Sequence, residues 1–267
     1  MKIAFAGNPN SGKTTMYNAL TGSNEHVGNW AGVTVDKKEA MIKKTYSGGL
    51  ELIAVDLPGA YSMSPFTAEE SVTRDYIHRE NPDAIINIVD ATNLSRSLFF
   101  TTQLMELGVP VVVALNKTDI NKKKKTVIDV KLLSRKLGCP VIETISTDAD
   151  CSDLADVLKT SVSLVGKGQK APYTQGDIDL TSKEAVAVAD RKRFAFVNRI
   201  VSDVEFRTIF TRDHNYQDKI DSIITSPVAG IPIFALVMFL VFDISQSTFG
   251  PWVADVLAGW IETFQVW

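Results

Sequence analysis

The sequence predicts an α/β fold with a mostly parallel six-stranded sheet, followed by a small all-helical domain and a hydrophobic C-terminal segment. Short apolar runs rich in β-branched residues alternate with helix-length amphipathic stretches as far as residue 165. This alternation is typical of a parallel sheet with helices on both faces. A glycine- and lysine-rich linker follows at 166–172, helical periodicity comes after it, and from residue 227 the chain becomes strongly apolar. The predicted domains are therefore 1–165, 172–226 and 228–267.

Individual elements follow from the same periodicity. Strands are predicted near 2–6, 33–46, 50–56, 84–90, 111–116 and 140–145. Helices are predicted near 13–21, 67–79, 94–107, 127–137 and 152–164. The second and third strands flank Ser47-Gly48-Gly49, a turn sequence suited to a hairpin, so one edge pair is expected to be antiparallel.

Composition excludes several classes of protein. The chain has 267 residues, of which 45% are hydrophobic and 22% are charged, as expected of a folded protein. Its net charge is -3, and apart from the solvated loop expected at Lys122–Lys125 its basic residues are scattered, so no nucleic-acid surface is predicted. The spacing of Cys139 and Cys151 suits neither a metal nor a redox site, which favours a reducing compartment. Since the first strand begins at Lys2, no cleavable leader is expected and the N-terminal part is predicted to be cytoplasmic.

A phosphate-binding loop is predicted directly after the first strand. Residues 7–14 read Gly-Asn-Pro-Asn-Ser-Gly-Lys-Thr and match G-x-x-x-x-G-K-[ST] between a strand and a helix, a context that an incidental glycine turn does not explain. Its backbone N–H groups and the helix N-terminus favour negative charge. Lys13 should reach the β- and γ-phosphates, and Thr14 should bind Mg²⁺. The predicted contacts are Gly7, Asn8, Pro9, Asn10, Ser11, Gly12, Lys13, Thr14 and Thr15.

A second motif, Asp56-Leu57-Pro58-Gly59, ends the third predicted strand. The Asp56 carboxylate can hold the water shell of the metal, and the Gly59 N–H can meet a γ-phosphate. An Asp-x-x-Gly turn alone is usually structural. Its place on this strand, after the phosphate loop, makes the functional interpretation credible.

A third motif, Asn116-Lys117-Thr118-Asp119, closes the strand at 111–116. The Asp119 carboxylate can accept hydrogen bonds from the guanine N1–H and exocyclic amine, a pair of donors that adenine does not offer. Downstream, Ser146-Thr147 could contact the guanine oxygen through a backbone N–H, although such a pair is usually only a turn. These motifs predict GTP and GDP, rather than ATP, as ligands.

Together these motifs resemble the P-loop GTPase superfamily, and three segments narrow the resemblance to the ferrous-iron transport protein B (FeoB) family. These segments are Gly28-Asn29-Trp30-Ala31-Gly32-Val33-Thr34-Val35, the stretch from Asp56 to Pro65, and the pair Glu69-Glu70. The similarity continues through 191–204 and 221–243. It implies the GTP-hydrolysing cytoplasmic portion of a ferrous iron transporter in the inner (cell) membrane. The chain departs from the family's usual pattern at Ala31, Lys117-Thr118 and Thr147.

The resemblance also implies roles for single residues. Thr34, beside the nucleotide contact Val33, should join Mg²⁺ in the triphosphate state together with Thr14 and Asp56. Asn10 should hold an activating K⁺. Ala60 stands where many GTPases carry the glutamine that orients water, so hydrolysis should be slow and should depend on Lys13, Thr34, Gly59 and Asn10. The unit at 172–226 should strengthen GDP binding.

The C-terminal segment is predicted to be a transmembrane helix followed by an amphipathic interfacial segment. The run at 228–242 is short for a span, which needs about 20 apolar residues, so a soluble core helix is the alternative. Apolar residues recur at helical spacing after Trp252, and Trp252, Trp260 and Trp267 suit a membrane interface. Basic residues precede the run and none follows it, which places the first domain on the cytoplasmic side.

One predicted span cannot conduct iron alone, so ferrous iron is a ligand only through a fuller membrane domain. His26, His78 and His214 are isolated, and no iron ligand is assigned. The membrane is a predicted partner, and a homo-oligomer is compatible with the sequence. An alternative function from another class is a membrane-tethered, nucleotide-dependent binding switch without coupling to transport.

Overall fold

The computed structural model describes residues 1–29, 36–63, 68–146, 152–176, 182–207, 226 and 229–265. It divides into two compact units, Met1–Ile209 and Phe210–Trp267. The predicted site residues Val33, Thr34 and Thr147 lie outside the described residues.

In the described part of the first unit, seven strands form one sheet in the order β2-β3-β4-β1-β5-β6-β8. Strands β1, β4, β5, β6 and β8 are parallel, while β3 runs antiparallel to both β2 and β4 at one side of the sheet. Two short strands, β7 and β9, form a separate antiparallel pair. The strands are β1 Lys2–Gly7, β2 Thr21–Asn29, β3 Asp36–Ile42, β4 Ile53–Asp56, β5 Ala84–Asp90, β6 Val111–Asn116, β7 Thr126–Ile128, β8 Val141–Thr144 and β9 Glu205–Arg207.

Helices cover both faces of the sheet, as the alternating pattern predicts. Helix α6 illustrates the local causes: the Asp129 side chain accepts a hydrogen bond from the Leu132 N–H at 2.9 Å and caps the helix start. The helix ends at Gly138, whose φ of 70° suits a residue without a Cβ. The described α-helices of the first unit are α1 Lys13–Leu20, α2 Lys44–Ser47, α3 Ala68–Glu80, α4 Leu94–Glu106, α5 Thr118–Lys123, α6 Val130–Leu137, α7 Ser152–Leu164 and α8 Lys183–Val204.

The core consists of two apolar layers, one on each face of the sheet. In β1, Ile3 and Phe5 belong to the layer that includes α1 and α7, whereas Ala4 and Ala6 belong to the opposite layer, which includes residues of α3, α4, α6 and α8. Side chains alternate along a strand, so a strand buried on both faces is apolar throughout. The central strands fit this rule, which explains why they were predictable.

Three predictions about the secondary structure need correction. The sheet has seven described strands rather than six, because the polar stretch Thr21–Asn29 pairs with β3. The strand predicted at 33–46 is β3, which ends at Ile42 and is followed by the short helix α2. The helix predicted at 127–137 begins only at Val130, because the β-branched residues before the Asp129 cap form β7. The antiparallel pairing across Ser47-Gly48-Gly49 is confirmed in β3 and β4.

Helix α8 lies within the first unit and packs against α4 and α6. Arg193 carries much of this contact: its guanidinium pairs with Glu106 Oε2 at 2.5 Å and donates to Thr102 Oγ1 at 3.3 Å. Phe194 stacks on Phe99 with 4.1 Å between ring centroids. The separate helical domain predicted at 172–226 remains a prediction, since residues 208–225 lie outside the described part of the chain.

The second unit contains helix α9 Gly230–Asp243, a π-helical turn Ile244–Phe249 and helix α10 Gly250–Gln265. The described residues include one helix long and apolar enough to cross a membrane, Gly230–Ala258, with a mean hydropathy of 1.7 and no burial. The backbone is helical from Gly230 to Gln265, and the division of this segment into a span and an interfacial part stays a prediction. The π-helical turn precedes Pro251, whose ring would clash with the carbonyl four residues earlier in a regular helix.

Candidate nucleotide site

The predicted motifs meet where the parallel strands β1, β4, β6 and β8 end. Carboxyl ends of parallel strands share one edge of a sheet, which is the usual ligand-binding edge of α/β proteins. A cavity of about 690 Å³ opens there. Two of its lining residues, Ile120 and Ile145, were not predicted. The lining comprises Asn8, Pro9, Asn10, Gly12, Lys13, Thr14, Thr15, Gly59, Asn116, Lys117, Asp119, Ile120, Ile145 and Ser146.

The loop between β1 and α1 depends on its glycine at position 12. Gly12 has φ of 96°, and a Cβ there would lie 2.2 Å from Asn116 Nδ2. Asn10, in the same loop, also adopts a left-handed conformation with φ of 63°. Gly7 is restricted by space alone, because a Cβ there would lie 2.7 Å from the Ile88 carbonyl oxygen. The loop therefore has the tight curvature that a phosphate cradle requires.

Asn116 joins the loop to two strand ends. Its Nδ2 donates to the Ser11 carbonyl oxygen at 2.8 Å, and its Oδ1 accepts from the Ser146 N–H at 3.0 Å. Both polar atoms of this side chain thus bind protein. Asn116 fixes the positions of the phosphate loop and of the segment after β8 relative to β6.

Lys117 makes a second connection to the loop. Its Nζ donates to the Asn10 carbonyl oxygen at 2.5 Å and to Asp90 Oδ2 at 2.6 Å. Thr92 donates to the other Asp90 oxygen from its N–H at 2.9 Å and its hydroxyl at 2.7 Å. Burial acts to raise the pKa of Asp90, but the hydrogen bonds from Lys117 and Thr92 hold that pKa below its usual value.

Asp90 is a site residue that the sequence analysis missed. The signal was present: an aspartate ends the buried strand β5, which lies beside β6 in the sheet. Register places Asp90 directly beside Asn116, the residue before Lys117. Without the strand order, nothing in the sequence connects Asp90 with the motif at 116–119.

Lys13 and Asp56 form an ion pair between the start of α1 and the end of β4. Thr14 and Thr15 beside them are exposed and line the cavity. Gly59 packs against the phosphate loop, since a Cβ there would lie 3.3 Å from Pro9, and the Ala60 N–H donates to the Gly7 carbonyl oxygen at 3.3 Å. The second motif therefore lies against the first. Leu57 and Pro58 connect Asp56 to Gly59 but do not line the cavity.

Asp119, in the first turn of α5, lines the same cavity. Its carboxylate makes no hydrogen bond or ion pair with any residue in the described ranges. A carboxylate that is free at the wall of a cavity can accept two donors from a ligand.

Comparison with known proteins agrees with these motifs. A family model described as "Ferrous iron transport protein B" matches residues 1–159. The chain belongs to this family. The Fe(2+) transporter FeoB of Salmonella typhimurium is 33% identical over 91% of the chain, and an Fe(2+) transport protein A/FeoB fusion protein of Porphyromonas gingivalis is 29% identical over 100% of it. The chain spans only 38% and 39% of the lengths of these relatives.

Solved structures of FeoB proteins share the fold. A GDP-bound mutant of the S. thermophilus FeoB G-domain is 33% identical, with a TM-score of 0.62, and the match covers 77% of this chain and 100% of that one. The cytosolic domain of L. pneumophila FeoB is 29% identical, with a TM-score of 0.66 and the same coverage. The first unit therefore has the P-loop GTPase fold of FeoB G-domains.

A further contact in this chain was also missed by the sequence analysis. The Arg96 guanidinium lies 3.7 Å above the centre of the Tyr61 ring, just after Gly59 and Ala60. The Arg96 carbonyl oxygen accepts from Asn8 Nδ2 at 3.3 Å, and Gln103 Oε1 accepts from the Met63 N–H at 2.9 Å. Helix α4 therefore holds both the phosphate loop and the segment after Gly59.

The oxygen donors present suit Mg²⁺ only together with a nucleotide. In the part of the chain that the structure describes, no three His, Cys, Asp or Glu residues group as a metal site. Thr14 supplies a hydroxyl at the cavity wall, and Asp56 supplies a carboxylate beside Lys13, which also lines the cavity. Since Mg²⁺ usually binds one or two carboxylates together with substrate phosphates, this donor set fits the ion.

Proposed function

We propose that the chain binds GTP and GDP and hydrolyses GTP, as the cytoplasmic portion of a ferrous iron transporter. One observation carries the proposal: a single cavity combines a glycine-dependent loop, the Lys13 ammonium group and the carboxylate of Asp119, which has no partner among the described residues. Related FeoB structures bound to GDP support it.

In the proposed complex, the loop N–H groups and Lys13 bind the phosphates, while Asp119 accepts hydrogen bonds from guanine. Thr147 would add a backbone contact to the guanine oxygen, while the Ser146 N–H already donates to Asn116 Oδ1. Lys13 would exchange its contact with Asp56 for phosphate oxygens, because the phosphates bring more negative charge than one carboxylate. Asp56 would then be free for the metal.

Mg²⁺ would be held by Thr14, Thr34 and Asp56, and it would neutralise charge on the β- and γ-phosphate oxygens. The N–H of Gly59 would contact the γ-phosphate. Ala60 offers no polar side chain to orient water, so we expect slow intrinsic hydrolysis. This chain's contribution to the reaction is mainly to orient the phosphates and stabilise their charge.

Asn10 is the proposed ligand of an activating K⁺, together with phosphate oxygens and carbonyls of the loop at 28–32. Its side chain makes no hydrogen bond within the described ranges, and its backbone is held by Lys117. A cation there would supply charge where other GTPases use an arginine. The alternative is that asparagine only stabilises the left-handed turn.

The test is the initial rate of phosphate release from GTP in K⁺ and in Na⁺ at equal ionic strength. We expect hydrolysis about tenfold or more faster in K⁺, a smaller gain than an arginine finger gives. Asn10→Ala should abolish the difference and leave GTP affinity largely unchanged. Equal rates for the unmodified protein in the two salts would reject the role of K⁺.

The proposed location is the inner (cell) membrane, with the nucleotide site in the cytoplasm. Gly230–Ala258 would span the bilayer, and the basic residues before it favour that orientation.

Replacing Leu236 and Phe239 with arginine should prevent insertion, since each arginine at a span's centre costs about 2.5 to 3.5 kcal/mol. Leu50→Arg with Val188→Arg, on exposed positions of the first unit, is the matched control. An unmodified chain that fractionates as soluble would contradict the span.

Coupling to iron is the part of the proposal that needs a longer protein. Iron uptake measured together with GTP turnover in a membrane-embedded protein with the full complement of spans would test it. Uptake that depends on hydrolysis supports the transporter role. Nucleotide-dependent partner binding without uptake would favour the alternative, a membrane-tethered switch.

A further inference from the structure

The small sheet formed by β7 and β9 exposes an apolar pair. Val127 and Phe206 are directly opposite each other across the two strands, and their exposed fractions are 59% and 56%. Ile128, the next residue of β7, packs against the main core. Since successive side chains point to opposite faces, Val127 and Phe206 share the outer face of this sheet.

Lysines border this outer face. Lys122–Lys125 end helix α5 and lead directly into β7, and all four are exposed. Lys122 and Val127 line the same small pocket of about 140 Å³. Three acidic residues lie nearby. Glu143 lines the same pocket, whereas Glu205 is paired with Ile128 and so lies on the inner face of the small sheet. The Asp129 side chain caps helix α6. The surroundings of the apolar pair are therefore predominantly basic.

The sheet also occupies an informative place in the chain. Strand β9 is the last described element of the first unit, and the apolar helix begins at Gly230. An extended chain over residues 208–229 spans at most about 80 Å. The outer face is therefore attached, through a segment of limited length, to the helix proposed to enter the bilayer.

We propose that the outer face of the β7–β9 sheet docks on an anionic lipid surface. Val127 and Phe206 contact the membrane–water interface, and Lys122–Lys125 contact the lipid headgroups. An aromatic and an aliphatic side chain suit the boundary between headgroups and acyl chains, and basic clusters are attracted to anionic lipids. A second copy of the same face is disfavoured, because it would place two lysine clusters against each other. The proposal uses the membrane tether of the proposed function but not its nucleotide chemistry.

The experiment places a fluorescent probe at position 127 of the full chain. Val127→Cys is labelled in a Cys151→Ser background. Cys139 is kept, because burial raises the pKa of its thiol to about 12 and makes it unreactive at neutral pH. The matched control is Val188→Cys, at a position of α8 that is 48% exposed and apart from the β7–β9 sheet. Each protein is placed in lipid nanodiscs containing spin-labelled quencher lipids, with either neutral lipid or about 30% phosphatidylglycerol.

We expect the probe at 127 to be quenched at least about twofold more than the probe at 188 in anionic discs only. The variant Lys122→Gln/Lys123→Gln/Lys124→Gln should lose this excess quenching. Each lysine removed should lower the ratio of docked to undocked protein about fivefold. The variant Lys159→Gln/Lys167→Gln/Lys170→Gln, with three exposed lysines elsewhere, should keep it.

Equal quenching at the two positions, or quenching unaffected by the triple lysine replacement, would overturn the proposal. A change seen only in discs with two copies, independent of lipid charge, would identify a second copy as the occupant and would also overturn it. Incorporation into discs is measured first, so that failure of the span is distinguishable. If the chain stays soluble, the same probes are compared with vesicles of both compositions, and the same two outcomes decide.

Discussion

The Lys117 ammonium group lies between two oxygens, 2.6 Å from Asp90 Oδ2 and 2.5 Å from the Asn10 carbonyl oxygen. This contact joins the ends of β5 and β6 to the phosphate loop. Asp90 holds the Lys117 side chain, and Lys117 in turn holds the phosphate loop at Asn10. Lys117 also belongs to the same motif as Asp119, the proposed base contact.

Replacing Asp90 with asparagine should weaken nucleotide binding. The asparagine amide oxygen could still accept from Thr92, so the change removes mainly the charge that holds Lys117. A hydrogen bond to a charged group contributes about 1.5 to 3 kcal/mol, which corresponds to a loss of about tenfold or more in GDP affinity. Titration with a fluorescent GDP analogue measures it. Asp203→Asn is the control, because it removes the charged partner of Lys136 at a place away from the cavity. Equal GDP affinity in all three proteins would show that Asp90 does not position Lys117.

Gly12→Ala tests whether the loop geometry is required. The added Cβ would lie 2.2 Å from Asn116 Nδ2, so Asn116 would have to leave its contacts with Ser11 and Ser146. We expect GDP binding to be lost, while thermal unfolding still reports a folded protein.

The control for Gly12→Ala separates backbone strain from this clash. Gly108 has φ of 80°, and a Cβ added there would have no neighbouring atom within 4 Å, so Gly108→Ala introduces strain alone. It should lower stability by about 1 kcal/mol and leave GDP affinity unchanged. Normal GDP binding by Gly12→Ala would mean that the loop can rearrange without its glycine.

Arg193→Ala tests the proposed bracing of the nucleotide domain by the helical region. Arg193 is 3% exposed, and its loss leaves Glu106 without its ion-pair partner. Removing one member of a fully buried pair costs about 3 to 5 kcal/mol, and since the Glu106 side chain is 19% exposed, the free energy of unfolding should fall by about 3 kcal/mol. Because α4 also contacts Asn8 through Arg96, we expect GDP to dissociate faster.

Stopped-flow release of a fluorescent GDP analogue measures that dissociation. Lys192→Ala, at the exposed neighbouring position, should release GDP at the normal rate. A fragment ending near residue 165 should release it faster than one ending near residue 226. Equal rates in both comparisons would reject the bracing role and leave α8 as a purely structural element.

The parts of the fold that could be predicted have local causes. The loop at 7–14 and the motifs at 56–59 and 116–119 were recognisable because each follows a strand whose residues are buried on both faces. Strand β2 could not be predicted, since Thr21–Asn29 is polar and is a strand only through its pairing with β3. Asp90 and Arg96 act through neighbours that only the strand order and the position of α4 bring close.

The central claim is that the site recognises guanine through Asp119. Binding of GTP, ATP and xanthosine triphosphate is titrated for the unmodified protein and for Asp119→Asn. We predict that the unmodified protein prefers GTP over ATP, and that the variant binds GTP at least about tenfold more weakly and xanthosine triphosphate more tightly, because the amide donates where guanine also donates. Unchanged GTP affinity in Asp119→Asn would contradict the assignment of this cavity as a guanine-nucleotide site.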